Sequence, residues 1–262
     1  MGLPLFIVDA FTDRPFRGNP AAVCLLDGLR PTTWLQDVAR EMNLSETAFI
    51  HSEGDEYHLR WFTPTVEVDL CGHATLAGAH LLWEQGIIPG DREVRFLSKS
   101  GVLTAVQKGE WIELDFPAQP CKPLSALFSL DELLGVPASL VGASRLDYLV
   151  EVADEETLRG LQPDLAGLAR LSCRGMIVTS RSTKREYDFV SRFFAPGAGI
   201  PEDPVTGSAH CCLGPYWGAR LGKTVMVGYQ ASARGGVVRV ELAGDRVKLG
   251  GKAVTVVRGE LG

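Results

Sequence analysis

Apolar positions in this chain fall into short β-type runs broken by turn chemistry, and twice into a helix that is apolar on every side. The first such helix is read over Asp69–Trp83, where Ala74, Leu76, Ala77, Ala79, Leu81, Leu82 and Trp83 leave no polar face. A helix of that kind belongs inside a protein, enclosed by other elements. Gly72, Ala74, Ala77, Gly78 and Ala79 are small enough for strands to approach its backbone from several directions, so the pattern predicts sheet wrapped around it. Around it are read strands over Pro4–Phe11, Ala21–Leu26, Thr47–His51, Tyr57–Phe62, Val94–Leu97, Val102–Val106 and Trp111–Phe116. Thr33 with Gln36 makes a capping box for a helix running to about Met42. Gly86, with Pro89 behind it, stops the central helix.

The same plan then recurs. Arg60-Trp-Phe-Thr-Pro64 precedes the first central helix and Arg192-Phe-Phe-Ala-Pro196 a second, read from Gly207 to Trp217, with Gly72 and Gly207 separated by 207 − 72 = 135. Gly101-Val-Leu-Thr-Ala105 and Gly236-Val-Val-Arg-Val240 keep that offset. Pro215 is expected to interrupt the second helix. Strands are read over Leu146–Val150, Met176–Thr179, Tyr187–Phe194, Val225–Tyr229, Val237–Leu242, Arg246–Leu249 and Val254–Val257. Ser129 with Glu132 reads as the cap of a short helix, and two further helical stretches surround Pro163. Gly197-Ala-Gly199 reads as a loop, and Pro117–Pro123 as a stiff linker. The expected fold class is α/β (α+β): two pseudo-symmetric domains, each a mixed β-roll around a central helix, with boundaries at 1–117 and 118–251 and with the last strand, 252–262, returning to the first. The two helix starts are expected to face one cleft.

Composition changes the picture mainly by exclusion. The 262 residues are 45% hydrophobic and 22% charged with a net charge of −6, and no basic run marks a nucleic-acid or anionic-membrane partner. No apolar run approaches membrane-spanning length, and no basic-then-apolar leader is read, so a cytoplasmic location is expected. The six cysteines form no C-x-x-C pair and have no clustered histidines, which indicates neither a zinc site nor a disulfide framework.

Four positions carry candidate chemistry. Glu46 stands at a helix-to-strand turn, and aligning Met176–Ser180 with Ala48–Ser52 at an offset of 128 puts Arg174 opposite it, so only one copy carries the carboxylate. A single partly desolvated carboxylate suits moving a proton on and off one face of a substrate, because burial raises a carboxyl pKa toward working pH. Cys71, before the first central helix, reads either as a small buried hydrophobe or as a thiolate base. Its counterpart, Thr206, cannot act as a second base near neutral pH. His73 and Ser208 match across the copies in the first helical turns, where free N–H groups favour a carboxylate. Asp203 lies just ahead of the second of these turns.

Gly18-Asn-Pro-Ala-Ala-Val23, Leu44-Ser-Glu-Thr-Ala-Phe49, Arg60-Trp-Phe-Thr-Pro64, Leu70-Cys-Gly-His-Ala-Thr75 and Glu202-Asp-Pro-Val-Thr-Gly-Ser-Ala209 together resemble the phenazine-biosynthesis PhzF-like proteins, relatives of diaminopimelate epimerase, over nearly the whole chain. The resemblance implies a cofactor-independent isomerase and a homodimer. It makes Glu46 the acid/base, places His73 and Asp203 in support of the substrate, and gives Gly72, Gly207 and Ser208 its carboxylate, with Asn19 and Cys71 lining the site. The reading that follows is a proton shift on a small carboxylic acid without metal or cofactor. The alternatives are a non-catalytic metabolite-binding or interaction protein, and an epimerase using Cys71.

Overall fold

Two helices, each enclosed by strands, organise the computed structural model, which describes residues 2–124 and 130–262. Main-chain contacts divide the chain into Met1–Asp115 with Gly250–Gly262, and Phe116–Leu249.

The first unit runs β1 (Leu3–Ala10), β2 (Asn19–Leu25), α1 (Thr32–Met42), β3 (Glu46–Glu53), β4 (Glu56–Phe62), β5 (Glu67–Val68), α2 (Gly72–Glu84), β6 (Val94–Ser98), β7 (Gly101–Lys108) and β8 (Trp111–Pro117). Strand β1 lies antiparallel to β2 on one side and, on the other, to the C-terminal strand Ala253–Leu261. From β2 the sheet continues parallel to β3, antiparallel to β4, parallel to β6 and antiparallel to β7. Helix α2 is the crossover between the parallel pair β4 and β6, and Leu76, Ala77, Leu81 and Leu82 on it are buried. Its small residues work as expected: a Cβ at Gly78 would come 2.8 Å from Ile50 of β3. A Cβ at Gly251 would stand 2.7 Å from Leu76 itself.

The second unit comprises β9 (Lys122–Pro123), α3 (Leu130–Leu134), β10 (Leu140–Ala143), β11 (Asp147–Glu151), α4 (Glu155–Gly160), α5 (Leu165–Leu168), β12 (Gly175–Arg181), β13 (Phe189–Phe194), α6 (Gly207–Leu221), β14 (Val225–Gln230), β15 (Gly236–Ala243) and β16 (Arg246–Gly251); β17 is the C-terminal strand Ala253–Leu261 already placed in the first. Along β11, β12, β13, β14 and β15 the pairings are again parallel, antiparallel, parallel and antiparallel. Here α6 is the crossover, and Cβ atoms at Gly214 and Gly218 would meet Val240 at 2.8 Å and Leu242 at 2.5 Å. The architecture is therefore a mixed α+β fold in which one β-roll plan occurs twice. Among the described residues no helix is long and apolar enough to cross a membrane.

Four local expectations are corrected. Helix α6 is not interrupted at Pro215 but runs through it. The missing proline N–H would have bonded the carbonyl four residues back, and the Gln119 N–H takes that carbonyl, on Cys211, at 3.0 Å. Thr33 and Gln36 form no capping box, since α1 starts after Pro31 with no side-chain cap. Gln36 Nε2 donates instead to the Thr63 carbonyl at 2.9 Å, and Thr32 Oγ1 accepts from Arg60 at 3.0 Å. The expected linker 117–123 ends in β9, which pairs with the unforeseen strand β10. Gly197-Ala-Gly199 lies in a 3-10 turn over Pro196–Ala198 and its cap. The proposed cap at Ser129 lies outside the described residues.

Candidate active site

In the first unit, chain direction and one glycine bring four polar side chains together. Gly18 sits at φ +64°, and a Cβ there would be 2.1 Å from the Ala10 carbonyl oxygen, so only glycine makes this turn. The turn delivers Asn19 to the first position of β2, fully buried, and β2 lies parallel to β3, which begins at Glu46. Cys71 is the N-cap of α2, Gly72 its first residue and His73 its second. His73 Nδ1 lies 3.2 Å from Asn19 Nδ2 and 3.5 Å from Cys71 Sγ. On the other edge of the ring, Nε2 is 3.3 Å from Glu46 Oε2.

Charge decides what this contact is. Burial pushes the His73 ring down to about 3, so at neutral pH it carries no charge and the contact with Glu46 is not an ion pair. The Asn19 amide donates to Nδ1, which leaves the ring proton on Nε2. Nε2 nonetheless has no hydrogen-bond partner, because the Glu46 oxygen, though near, is off the line of its N–H. A neutral imidazole thus stands beside the carboxylate without claiming a proton from it. Thr75 Oγ1 donates back to the Cys71 carbonyl at 2.6 Å, and the first amides of α2 have no partner within the helix.

The second unit builds the corresponding place from different residues. Thr206 is the N-cap of α6, and its Oγ1 donates to Asp203 Oδ2 at 2.5 Å. Gln230 clamps this turn, donating to the Asp203 carbonyl at 2.7 Å and accepting from the Thr206 N–H at 2.8 Å. His210 Nδ1 donates to the Thr206 carbonyl at 2.8 Å, as Thr75 does four residues after Cys71. Ser208, matching His73, accepts from Arg174 Nη2 at 2.8 Å. Arg174 in turn forks onto Asp147, at 2.9 Å from Nε and 2.5 Å from Nη2, and Asp147 is 2% exposed.

The structure therefore gathers Asn19, Glu46, Cys71 and His73 in one cluster at the start of α2, with Gly72 supplying the first helical amide. In the second unit, Asp203 belongs to the Thr206–Gln230 turn, while Ser208 belongs to the arginine arm and Gly207 opens the helix between them. Sequence reading missed Gln230, Asp147 and the role of Arg174. Only for Arg174 was there a signal, its repeat position opposite Glu46. In both units the side chain at the strand start reaches the second residue of the central helix: an acid to His73 in one, a cation to Ser208 in the other.

The two buried histidines also set a pH dependence. Burial holds His210 at about 4, so both rings are depressed below their unfolded value. The unfolded chain takes up the protons first, near pH 6.5, so the stability that the neutral rings contribute is present above that pH. It is lost as pH falls toward their folded values. From pH 7 to pH 5 the pair is expected to lose about 4 kcal/mol in urea unfolding, and His73→Asn to remove about half of that loss. Equal slopes in the two proteins would show that His73 is not buried neutral.

The model of the family described as phenazine biosynthesis-like protein matches residues 8–259. An uncharacterized isomerase of Halalkalibacterium halodurans is 55% identical over 262 residues, covering 100% of this chain and 99% of its own. A crystal structure of a PhzF-family phenazine biosynthesis protein from Enterococcus faecalis superimposes with a TM-score of 0.95 at 43% identity, covering 99% of each chain. At 23% identity, a predicted epimerase of Pseudomonas aeruginosa, with a TM-score of 0.75 and 99% of each chain covered, shares the fold. With the family model matched over residues 8–259 and the isomerase relative aligned over 99% of its length, this chain belongs to the phenazine biosynthesis-like family.

Proposed function

We propose that this protein is an isomerase that shifts a proton along a small carboxylic acid, with Glu46 as the general acid/base. The observation that carries the reading is the asymmetry of the repeat: one strand start holds a carboxylate against a neutral imidazole, and its counterpart holds an arginine committed to an aspartate. One acid without a second base of its kind returns the proton it takes, on the same face of the substrate. The proposed acid group rests on the amides at the start of α2, opened by Gly72, with His73 and Asn19 orienting it, and Gly207, Ser208 and Asp203 are the matching candidates of the second unit. The reacting carbon of the substrate faces Glu46. Because Ser208 accepts from Arg174, its own hydroxyl proton remains available for donation. We place the enzyme as a cytoplasmic homodimer without metal cofactor, nucleic-acid or membrane partner.

Two-base epimerisation through Cys71 has no counterpart thiol, and Thr206 at the matching position is already a donor to Asp203. The test is a panel of cyclic and dienoic carboxylates in heavy water. Acids that bind by calorimetry are expected to gain deuterium at carbon; binding without incorporation would instead mark a metabolite-binding protein.

A further inference from the structure

We propose that Glu46, Cys71 and His73 also form a three-ligand site for a divalent cation of the zinc class, bound in competition with proton transfer at Glu46. The ligand set stands on geometry; only the consequence for proton transfer rests on the function proposed above. A carboxylate oxygen, a thiol sulfur and an imidazole nitrogen lie within 4.8 Å of one another here, the only such group among the described residues. That mixture of donors is the one zinc takes, with three protein ligands leaving a fourth position open. Tetrahedral zinc at roughly 2.0–2.1 Å from nitrogen and oxygen sets those two atoms about 3.3–3.4 Å apart. His73 Nε2 and Glu46 Oε2 are already 3.3 Å apart.

The histidine supplies the independent sign of a missing ligand. Its side chain is 6% exposed, and Nε2 is buried with no hydrogen-bond partner. Buried polar atoms are almost always partnered, and an ion between Nε2 and the carboxylate supplies the partner that Nε2 lacks. The proton balance closes within the cluster. Coordination through Nε2 leaves the ring proton on Nδ1. There a half-turn of the Asn19 amide presents oxygen in place of nitrogen, the outer contact that commonly orients a metal-bound histidine. The Cys71 thiol loses its proton to solvent, and the start of α2 favours the thiolate. The same helix end opposes a cation, but that is a single partial charge against three direct ligand bonds. The second unit serves as an internal contrast, with Arg174, Thr206 and Ser208 at the three matching positions and no metal-type ligand among them.

Cobalt(II) is the probe, added under anaerobic conditions to the reduced, metal-free full-length protein. The expected result is a thiolate-to-cobalt charge-transfer band in the near ultraviolet with visible bands of tetrahedral cobalt, saturating at one ion per chain and displaced by zinc. Cys71→Ser should remove the charge-transfer band, Glu46→Gln should weaken binding at least tenfold, and Cys173→Ser should change neither. The absence of the band, or its survival in Cys71→Ser, overturns the site, because the ion would then be unbound or held by another cysteine. If Cys71→Ser does not fold, unchanged cobalt affinity in Glu46→Gln overturns it equally. No substrate enters this measurement, so its failure leaves the deuterium experiment standing, and the reverse holds too.

Discussion

Glu46→Gln is expected to lower solvent-deuterium exchange into a bound carboxylic acid by two to four orders of magnitude while leaving the acid bound. The amide keeps the size and planarity of the carboxyl but cannot accept a proton at working pH. General acid/base groups of this kind contribute about 10²–10⁴-fold, or about 3–5 kcal/mol of transition-state stabilisation. Binding should survive because the proposed hold on the acid group is made by helix amides and not by Glu46. Folding should survive because His73 makes no hydrogen bond to Glu46 that the substitution could break. The measurement is the rate of deuterium incorporation by mass spectrometry, with calorimetry for affinity and thermal melting for the fold. Exchange at the unaltered rate would remove Glu46 from the chemistry.

Arg174→Met is expected to destabilise the protein by about 3 kcal/mol, the lower end of the range for removing one partner of a buried pair, since about a third of the arginine side chain is exposed. The cost arises at Asp147, which is 2% exposed and takes two bonds from the guanidinium. Without the arginine a buried carboxylate loses its counter-charge, and Ser208 loses the donor that fixes its hydroxyl. Arg174→Lys should fall between the two, because an ammonium cannot make the two-pronged contact. The double variant Arg174→Met with Asp147→Leu should regain most of the loss, because no unpaired charge is then left inside. Denaturant unfolding of the three proteins checks the order. A double variant no more stable than Arg174→Met would show that the loss does not come from Asp147.

Much of this arrangement was legible in the chain because it depends on local pattern. The helix read over Asp69–Trp83 is apolar on all sides, and α2 is buried from His73 to Leu82 apart from a half-buried His80. A constant offset of 135 marks the duplicated unit, and the shorter offset of 128 puts Arg174 opposite Glu46. Repeats are legible because two copies of one fold must place apolar and turn residues in the same order. The misreadings concern groups whose partners lie far along the chain. Pro215 looks like a helix breaker to its neighbours, yet the carbonyl it abandons is met by Gln119, ninety-six positions earlier (215 − 119). Thr33 and Gln36 have the spacing of a capping box, but Gln36 is drawn to the Thr63 carbonyl of the strand-to-helix connection.

The site divides the same way. Residue types, spacing and the duplicated plan named Glu46, His73, Cys71, Asn19, Asp203, Gly207 and Ser208 as candidates and set an acid in one copy against a cation in the other. Only the folded chain decided that the His73 ring stands uncharged 3.3 Å from Glu46, that Asp147 holds Arg174 to Ser208, and that three zinc-type donors meet where no sequence spacing indicated a metal. Periodicity and turn chemistry act between near neighbours and can be read along one dimension. Desolvation, charge pairing and ligand geometry depend on which distant segments share a small volume, and that volume exists only once the strands have closed around their helices.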